Sequence, residues 1–159
     1  MKVLVLNSGS SSLKYQLFDT DSESLITKGL VEKIGGREAI FSYIRPDSGK
    51  LKEVHAVYDH TEALNLVLKS LTNAENAFLK DITEIAAIGH RVVHGGEKFT
   101  QSVIVDDNVL AEIRERIAVE VSSRIRTRAG IQAVLHLPAV RHAVIVRIPD
   151  LREAIVQVL

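Results

Sequence analysis

The sequence lacks cysteine, net charge and any long hydrophobic run. Without cysteine there can be no disulfide, no thiolate metal site and no cysteine nucleophile. Basic and acidic residues balance at 20 each, which argues against binding to nucleic acid or to a membrane surface. The apolar run that follows Lys2 ends at Leu6, so it is too short for a signal peptide or a membrane span. We therefore expect a soluble, cytoplasmic protein.

Hydrophobic patterning predicts that the chain opens as a β-meander. Hydrophobic residues make up 46% of the 159 residues, enough for one globular domain with its own core. An aliphatic run at 3–6 and alternation at 13–17 predict two strands that form a hairpin around a Gly/Ser connection. Further strands are expected near 25–32, 39–44 and 52–57.

The hydrophobic period then changes from that of strands to that of helices. Apolar residues between 63 and 71 fall on one helical face, and Thr61 and Glu62 are expected at the start of this helix. The elements expected after it are a strand from Ile85, a helix over 108–117, a helix over 131–137, a strand over 143–148 and a helix to Leu159. Antiparallel strands followed by alternating helices and strands predict an α/β domain with a mixed sheet.

The stretch from Val121 to Arg147 contains no acidic residue but holds five arginines. They are Arg124, Arg126, Arg128, Arg141 and Arg147. A solvated basic face and a nucleic-acid patch would both have this composition. The stretch has no aromatic residue on which bases could stack, which favours the solvated face, so we expect no nucleic-acid partner.

Residues 7–14, Asn-Ser-Gly-Ser-Ser-Ser-Leu-Lys, combine many hydrogen-bond donors with one positive charge. Gly9 lets the backbone approach a ligand closely, and Lys14 supplies the charge. Ser10 and Ser12 can each offer a hydroxyl as well as a backbone amide. A Walker-type loop is excluded because Gly-x-x-x-x-Gly-Lys-Ser/Thr is absent. Taken alone, these residues leave two interpretations open, a phosphate-binding turn and an ordinary polar hairpin turn.

Residues 89–96, Gly-His-Arg-Val-Val-His-Gly-Gly, end a predicted strand in a glycine turn. Arg91 at such a strand end can bind a carboxylate or phosphate through two parallel hydrogen bonds, and Val93 could form a small apolar wall beside it. An ordinary ion pair would explain Arg91 equally well. His90 and His94 have a spacing found in zinc sites, but the metalloprotease pattern needs a helix and a glutamate after the first histidine. We therefore expect a structural or supporting role for both histidines.

Two segments together resemble the acetate kinases. Residues 1–15, MKVLVLNSGSSSLKY, resemble the start of that family, and residues 88–96, IGHRVVHGG, resemble a later motif at a matching separation. The resemblance runs from residue 1 to about residue 120. It implies the actin-like ATPase fold, in which a ribonuclease-H-like, mixed-sheet domain closes with a second such domain over a nucleotide.

The resemblance also implies roles on the nucleotide side of the site. Asn7 matches the position that helps to hold Mg²⁺. Lys14 matches a contact to the phosphates of ATP, and Ser10 and Ser12 belong to the same loop.

On the substrate side, Arg91 matches the arginine that binds the carboxylate or the transferring phosphoryl group. Val93 matches a wall of the small acetate pocket. The implied activity is reversible phosphoryl transfer from ATP to acetate, giving acetyl phosphate and ADP. The family is homodimeric, and the domain that forms its dimer is expected to fall outside this sequence. Residues 1–159 are expected to be a single N-terminal domain.

The sequence departs from the family after residue 120. Residues 121–128 stand where the family carries an active-site histidine, the catalytic aspartate falls at or near Arg147, and a second catalytic histidine has no counterpart. The resemblance returns over residues 129–140. Short frameshifts at 121–128 and beyond about Arg141 would explain this pattern, as would true divergence or a different paralogue, and reading the coding DNA in all three frames would separate them. Two functions therefore stay open: an incomplete, poorly active acetate kinase (or propionate or butyrate kinase), and a non-catalytic phosphate-binding remnant.

Overall fold

The computed structural model describes residues 1–75 and 78–91, together with 103, 106, 108, 109, 111, 112 and 143–146. For residue 91 and residues 143–146 it describes the backbone alone. The chain opens with five strands: β1 (Lys2–Gly9), β2 (Ser12–Asp19), β3 (Ser24–Glu32), β4 (Gly36–Arg45) and β5 (Gly49–Val57). Each pairs antiparallel with the next, which confirms the predicted meander. The strands extend beyond the predicted bounds because backbone pairing continues into polar residues at their ends.

A helical crossover then returns the chain to the first strand. Helix α1 (His60–Thr72) is followed by a 3-10 turn (Ile82–Glu84) and by β6 (Ile85–Arg91), which pairs parallel with β1. Strand β7 (Ala143–Val146) pairs antiparallel with β6. The strand order is β5-β4-β3-β2-β1-β6-β7. The predicted mixed sheet is confirmed, and its parallel pair needs the long crossover that α1 provides.

Helix α1 packs its apolar stripe on the sheet, against β2 and β5. Its buried residues are the five that the helical period predicts: Ala63, Leu64, Val67, Leu68 and Leu71. The predicted start at Thr61 is wrong by one residue, because the helix begins at His60. Asp59 caps it, since its carboxylate accepts a hydrogen bond of 2.8 Å from the amide of Glu62.

Over its first strands the sheet has one core face and one face that carries both polar and apolar residues. Leu4, Leu6, Leu13, Tyr15 and Leu17 are at most 1% exposed and form the core under α1. The residues that alternate with them project from the opposite face, since successive side chains of a strand point to opposite sides. That opposite face carries the candidate site.

The remaining predicted elements are described only in part. The helix expected from Asn108 is helical at residues 108–109 and 111–112. The strand expected over 143–148 is present as β7. The helices expected over 131–137 and up to Leu159 lie outside the described residues. Within the described part of the chain, no helix is long and apolar enough to cross a membrane.

Candidate functional site

The segment predicted to bind phosphate folds as the tight end of the β1–β2 hairpin. Strand β1 runs through Asn7 to Gly9 instead of stopping at Leu6, because its pairing with β2 continues into these polar residues. The turn itself consists of Ser10 and Ser11, which are both exposed. The predicted strand end was therefore wrong by three residues. We refer to residues 9–12 as the serine turn.

Asn7 and Lys14 lie directly opposite each other in the hairpin. Paired residues of an antiparallel ladder project from the same face, with Cβ atoms about 5 Å apart. Ser12 projects from that face too, because it lies two residues before Lys14 in β2. Lys14 is exposed, while Asn7 and Ser12 are half-buried. Three of the residues expected to contact Mg²⁺ or ATP phosphates are thus brought together on one surface.

Gly9 allows the two strands of the serine turn to approach closely. A Cβ atom at Gly9 would lie only 2.8 Å from the Oγ of Ser12. Any larger residue would therefore push that hydroxyl group aside. The absence of a side chain at Gly9 leaves room for the Ser12 hydroxyl in this position.

Two contacts from elsewhere in the chain hold the backbone of the serine turn. His60 is the first residue of α1, and its Nε2 atom lies 2.7 Å from the carbonyl oxygen of Gly9. The backbone amide of Ile34, between β3 and β4, donates a 3.0 Å hydrogen bond to the carbonyl of Ser11. The turn is therefore anchored although its tip is exposed to solvent.

A cavity of about 520 Å³ adjoins this hairpin. Its cationic lining residues are Lys14, Lys28 and Lys50, and its apolar ones include Val5, Leu30 and Ile44. No acidic residue is among the described lining residues, and no ion pair joins any of the three lysines to a described residue. Positive charge that has no acidic partner among the described residues, beside apolar surface, favours an organic anion as the occupant.

The parallel pairing of β1 and β6 brings the start of the second motif, residues 89–91, to the same end of the sheet as the hairpin. His90 lies beside Leu6 in the register, so Arg91, the last residue of β6, follows at the level of Asn7 in β1. The backbone of Arg91 is thereby placed next to the hairpin. The side chain of Arg91, and residues Val93, His94 and Arg147, lie outside what the structure describes.

His90 is 6% exposed, and neither of its ring nitrogens has a hydrogen-bond partner among the described residues. Burial lowers the pKa of His90 to about 4, so the ring is neutral at pH 7. A neutral ring adds no positive charge to the neighbourhood of Arg91. His90 therefore contributes shape and not charge at neutral pH.

The described residues do not by themselves form a metal site. Among them, no group of three His, Cys, Asp or Glu side chains is arranged to hold a metal ion. Asn7 offers a single neutral amide oxygen on the cavity side. A hard cation such as Mg²⁺ needs further oxygen ligands, which phosphates and water can supply.

Comparison with known proteins is consistent with this geometry. A model of the acetokinase family matches residues 2–147. The chain belongs to the acetokinase family. An acetate kinase of Bacillus cereus is 54% identical over 114 residues, which are 72% of this chain and 28% of that relative. An acetate kinase of Symbiobacterium thermophilum is 50% identical over 115 residues, which are 72% of this chain and 29% of that relative.

Solved structures of the family agree with the fold. The structure of Porphyromonas gingivalis acetate kinase matches with a TM-score of 0.70 and 33% identity, covering 91% of this chain and 37% of that one. A propionate kinase from Francisella tularensis matches with a TM-score of 0.63 and 26% identity, covering 92% and 36%. The predicted ribonuclease-H-like, mixed-sheet domain of the actin-like ATPase superfamily is thus confirmed. The chain spans less than a third of the length of the curated relatives it matches.

Four residues near the site were not predicted from the sequence: His60, Ile34, Lys28 and Lys50. Alternation within β3 could have placed Lys28 on the same face as Leu30, but the sequence does not show which strands lie side by side. No sequence signal links His60 to a turn 51 residues earlier.

Proposed function

We propose that this chain is the N-terminal, ligand-binding domain of an acetate kinase, which transfers a phosphoryl group between ATP and acetate to give acetyl phosphate and ADP. Residues 1–159 form one domain in this proposal, with residues 121–159 divergent. The adenosine-binding and dimer-forming parts belong to the remaining length of the family fold. We place the protein in the cytoplasm, where ATP and acetate are available.

The proposal rests on one observation: Asn7 and Lys14, which pair in the hairpin next to the serine turn, line a cavity whose cationic residues are all lysines. Lys14, Ser10 and Ser12 contact the phosphates of ATP, since a turn rich in amides and hydroxyls beside a lysine suits a phosphate. Asn7 contributes one oxygen to Mg²⁺, which arrives with ATP because the described residues alone do not provide its other ligands.

On the acetate side of the proposed site, Arg91 binds the carboxylate of acetate, and Val93 forms a wall of the pocket for its methyl group. An arginine suits this role because its planar guanidinium can bind both carboxylate oxygens at once. The backbone of Arg91 ends β6 beside the β1–β2 hairpin, which supports a shared site for both substrates. Phosphoryl transfer then depends mainly on holding the two substrates in line and on neutralising the developing charge.

A hydroxamate or coupled assay for acetyl phosphate tests the activity. We expect the 159-residue chain alone to show no turnover above background. The resemblance puts the family aspartate at or near Arg147. Precise positioning of two substrates can account for ~7–11 kcal/mol of a barrier. Turnover that survives removal of host acetate kinase and disappears in Arg91→Ala would contradict this expectation, and would imply that a dimer or partner supplies the rest of the site.

A second candidate function is phosphate or nucleotide binding without catalysis. The coverage of 28% of the related acetate kinases favours it for the chain on its own. Binding without turnover in the same preparation would support this candidate.

Propionate and butyrate, assayed beside acetate, test the alternative substrates. If turnover is found, a rate with propionate above that with acetate would reassign the substrate and leave the phosphate site unchanged.

A further inference from the structure

The side chain of His60 bonds to the backbone of the serine turn and not to its own helix. Its Nε2 atom lies 2.7 Å from the carbonyl oxygen of Gly9, which is 51 residues away in the sequence. A carbonyl oxygen can only accept a hydrogen bond, so the ring must carry its proton on Nε2 to make this contact. The His60 ring is therefore the donor, in a defined tautomer or as the imidazolium.

The start of α1 does not need this side chain. The carboxylate of Asp59 accepts from the amide of Glu62 at 2.8 Å, and the carboxylate of Glu62 accepts from the amide of Tyr58 at 2.6 Å. These two contacts satisfy backbone donors at the beginning of the helix, as a good N-terminal cap does. The contact from His60 serves the turn instead.

Holding the Gly9 carbonyl also fixes the direction of the next amide. The peptide bond between Gly9 and Ser10 is planar and trans, so its C=O and N–H groups point in opposite directions. With the carbonyl directed at His60, the N–H of Ser10 is directed away from α1. The carbonyl of Ser11 is likewise occupied, by the amide of Ile34 at 3.0 Å. Two carbonyls that would repel an anion are thus bound to protein donors.

We propose that His60 is a positioning residue for the serine turn, which it holds in the conformation that receives phosphate. The role of the turn in binding phosphate rests on the proposed function above. The positioning role does not require phosphate, since it predicts a more ordered turn in the ligand-free chain as well.

The test uses the whole 159-residue chain, labelled with ¹⁵N, and three variants. His60→Ala removes the donor, while His60→Gln keeps an N–H at a similar distance from the backbone. Asp59→Ala weakens the start of the same helix but leaves the His60 ring in place. Amide exchange of Ile34, whose N–H donates to the carbonyl of Ser11, is measured without ligand, and inorganic phosphate is then titrated into each protein.

In His60→Ala we expect faster amide exchange of Ile34, because a less ordered turn weakens its contact with Ser11. We also expect a phosphate affinity weaker by about five- to tenfold, as the loss of one positioning hydrogen bond implies. His60→Gln should restore most of both properties. Asp59→Ala should lower the melting temperature by a few degrees without weakening phosphate binding.

Two results would overturn the inference alone: wild-type exchange and affinity in His60→Ala, or a folded His60→Gln that behaves like His60→Ala. A wild-type chain that shows no response to phosphate would instead overturn the proposed function of the turn. The exchange measurement still decides the role of His60 in that case. Faster exchange in His60→Ala, but not in Asp59→Ala, would support it, and equal exchange in all proteins would refute it.

Discussion

Lowering the pH from 6.5 to 4.5 should destabilise the domain through His90. This side chain is 6% exposed, and burial lowers its pKa from 6.5 to about 4 in the folded chain. The unfolded chain therefore binds a proton at a pH where the folded chain does not, so stability is present above pH 6.5 and is lost as the pH falls toward 4. A shift of this size implies a loss of about 2 kcal/mol between pH 6.5 and 4.5, and ~3 kcal/mol in all.

Urea denaturation at several pH values between 7 and 4.5 measures this loss. This pH range separates the titration of His90 from that of the carboxylates, which affect stability at lower pH. The pKa of Glu84, for example, is lowered from 4.5 to about 2 by its contact with Lys2, so stability linked to Glu84 is lost only below about pH 4.5. The control is His90→Phe, which fills the site but cannot titrate. An equal slope of stability against pH in His90→Phe and in the wild type would refute the reasoning.

Two further predictions concern glycines. Gly29→Ala should lower the free energy of unfolding, measured by urea denaturation, by about 2–3 kcal/mol or more. The new Cβ would overlap the buried ring of Tyr15 and lie 2.7 Å from the carbonyl oxygen of Ser42. A loss below about 0.5 kcal/mol would contradict the packing described. Gly9→Ala should change stability little, since the hydroxyl of Ser12 can rotate away, but it should weaken phosphate binding several-fold in a titration. Unchanged affinity in a folded Gly9→Ala would show that the position of the Ser12 hydroxyl does not matter.

Secondary structure could be predicted from the sequence wherever the local spacing of hydrophobic residues distinguishes a strand from a helix. The five strands of the meander and the five buried residues of α1 follow from periods of 2 and 3.6, which depend only on backbone geometry. The mixed sheet followed from the order of these elements. Strand ends were less predictable, because pairing with β2 extends β1 to include polar residues such as Asn7 and Ser8.

Contacts between distant segments could not be predicted. Asp59 and Thr61 are both suitable helix caps by residue type, and residue type alone does not decide between them. The hydrogen bond from His60 to Gly9 depends on how the crossover helix meets the hairpin. The cavity depends on which strands lie side by side, since it collects lysines from β2, β3 and the start of β5. For the binding residues, the motifs identified candidates, and the ladder register then placed Asn7 opposite Lys14.

The central claim is that the serine turn and Lys14 bind phosphate, and an NMR titration of the whole chain tests it most directly. With inorganic phosphate, and then with ATP and Mg²⁺, we expect saturable shifts of the amides of residues 9–14 and a Kd of about 1 mM. The double variant Lys14→Ala, Ser12→Ala should lose this response. Lys52→Ala should keep it, because Lys52 is exposed on β5 and does not line the cavity. Identical shifts in the wild type and the folded double variant would contradict the claim.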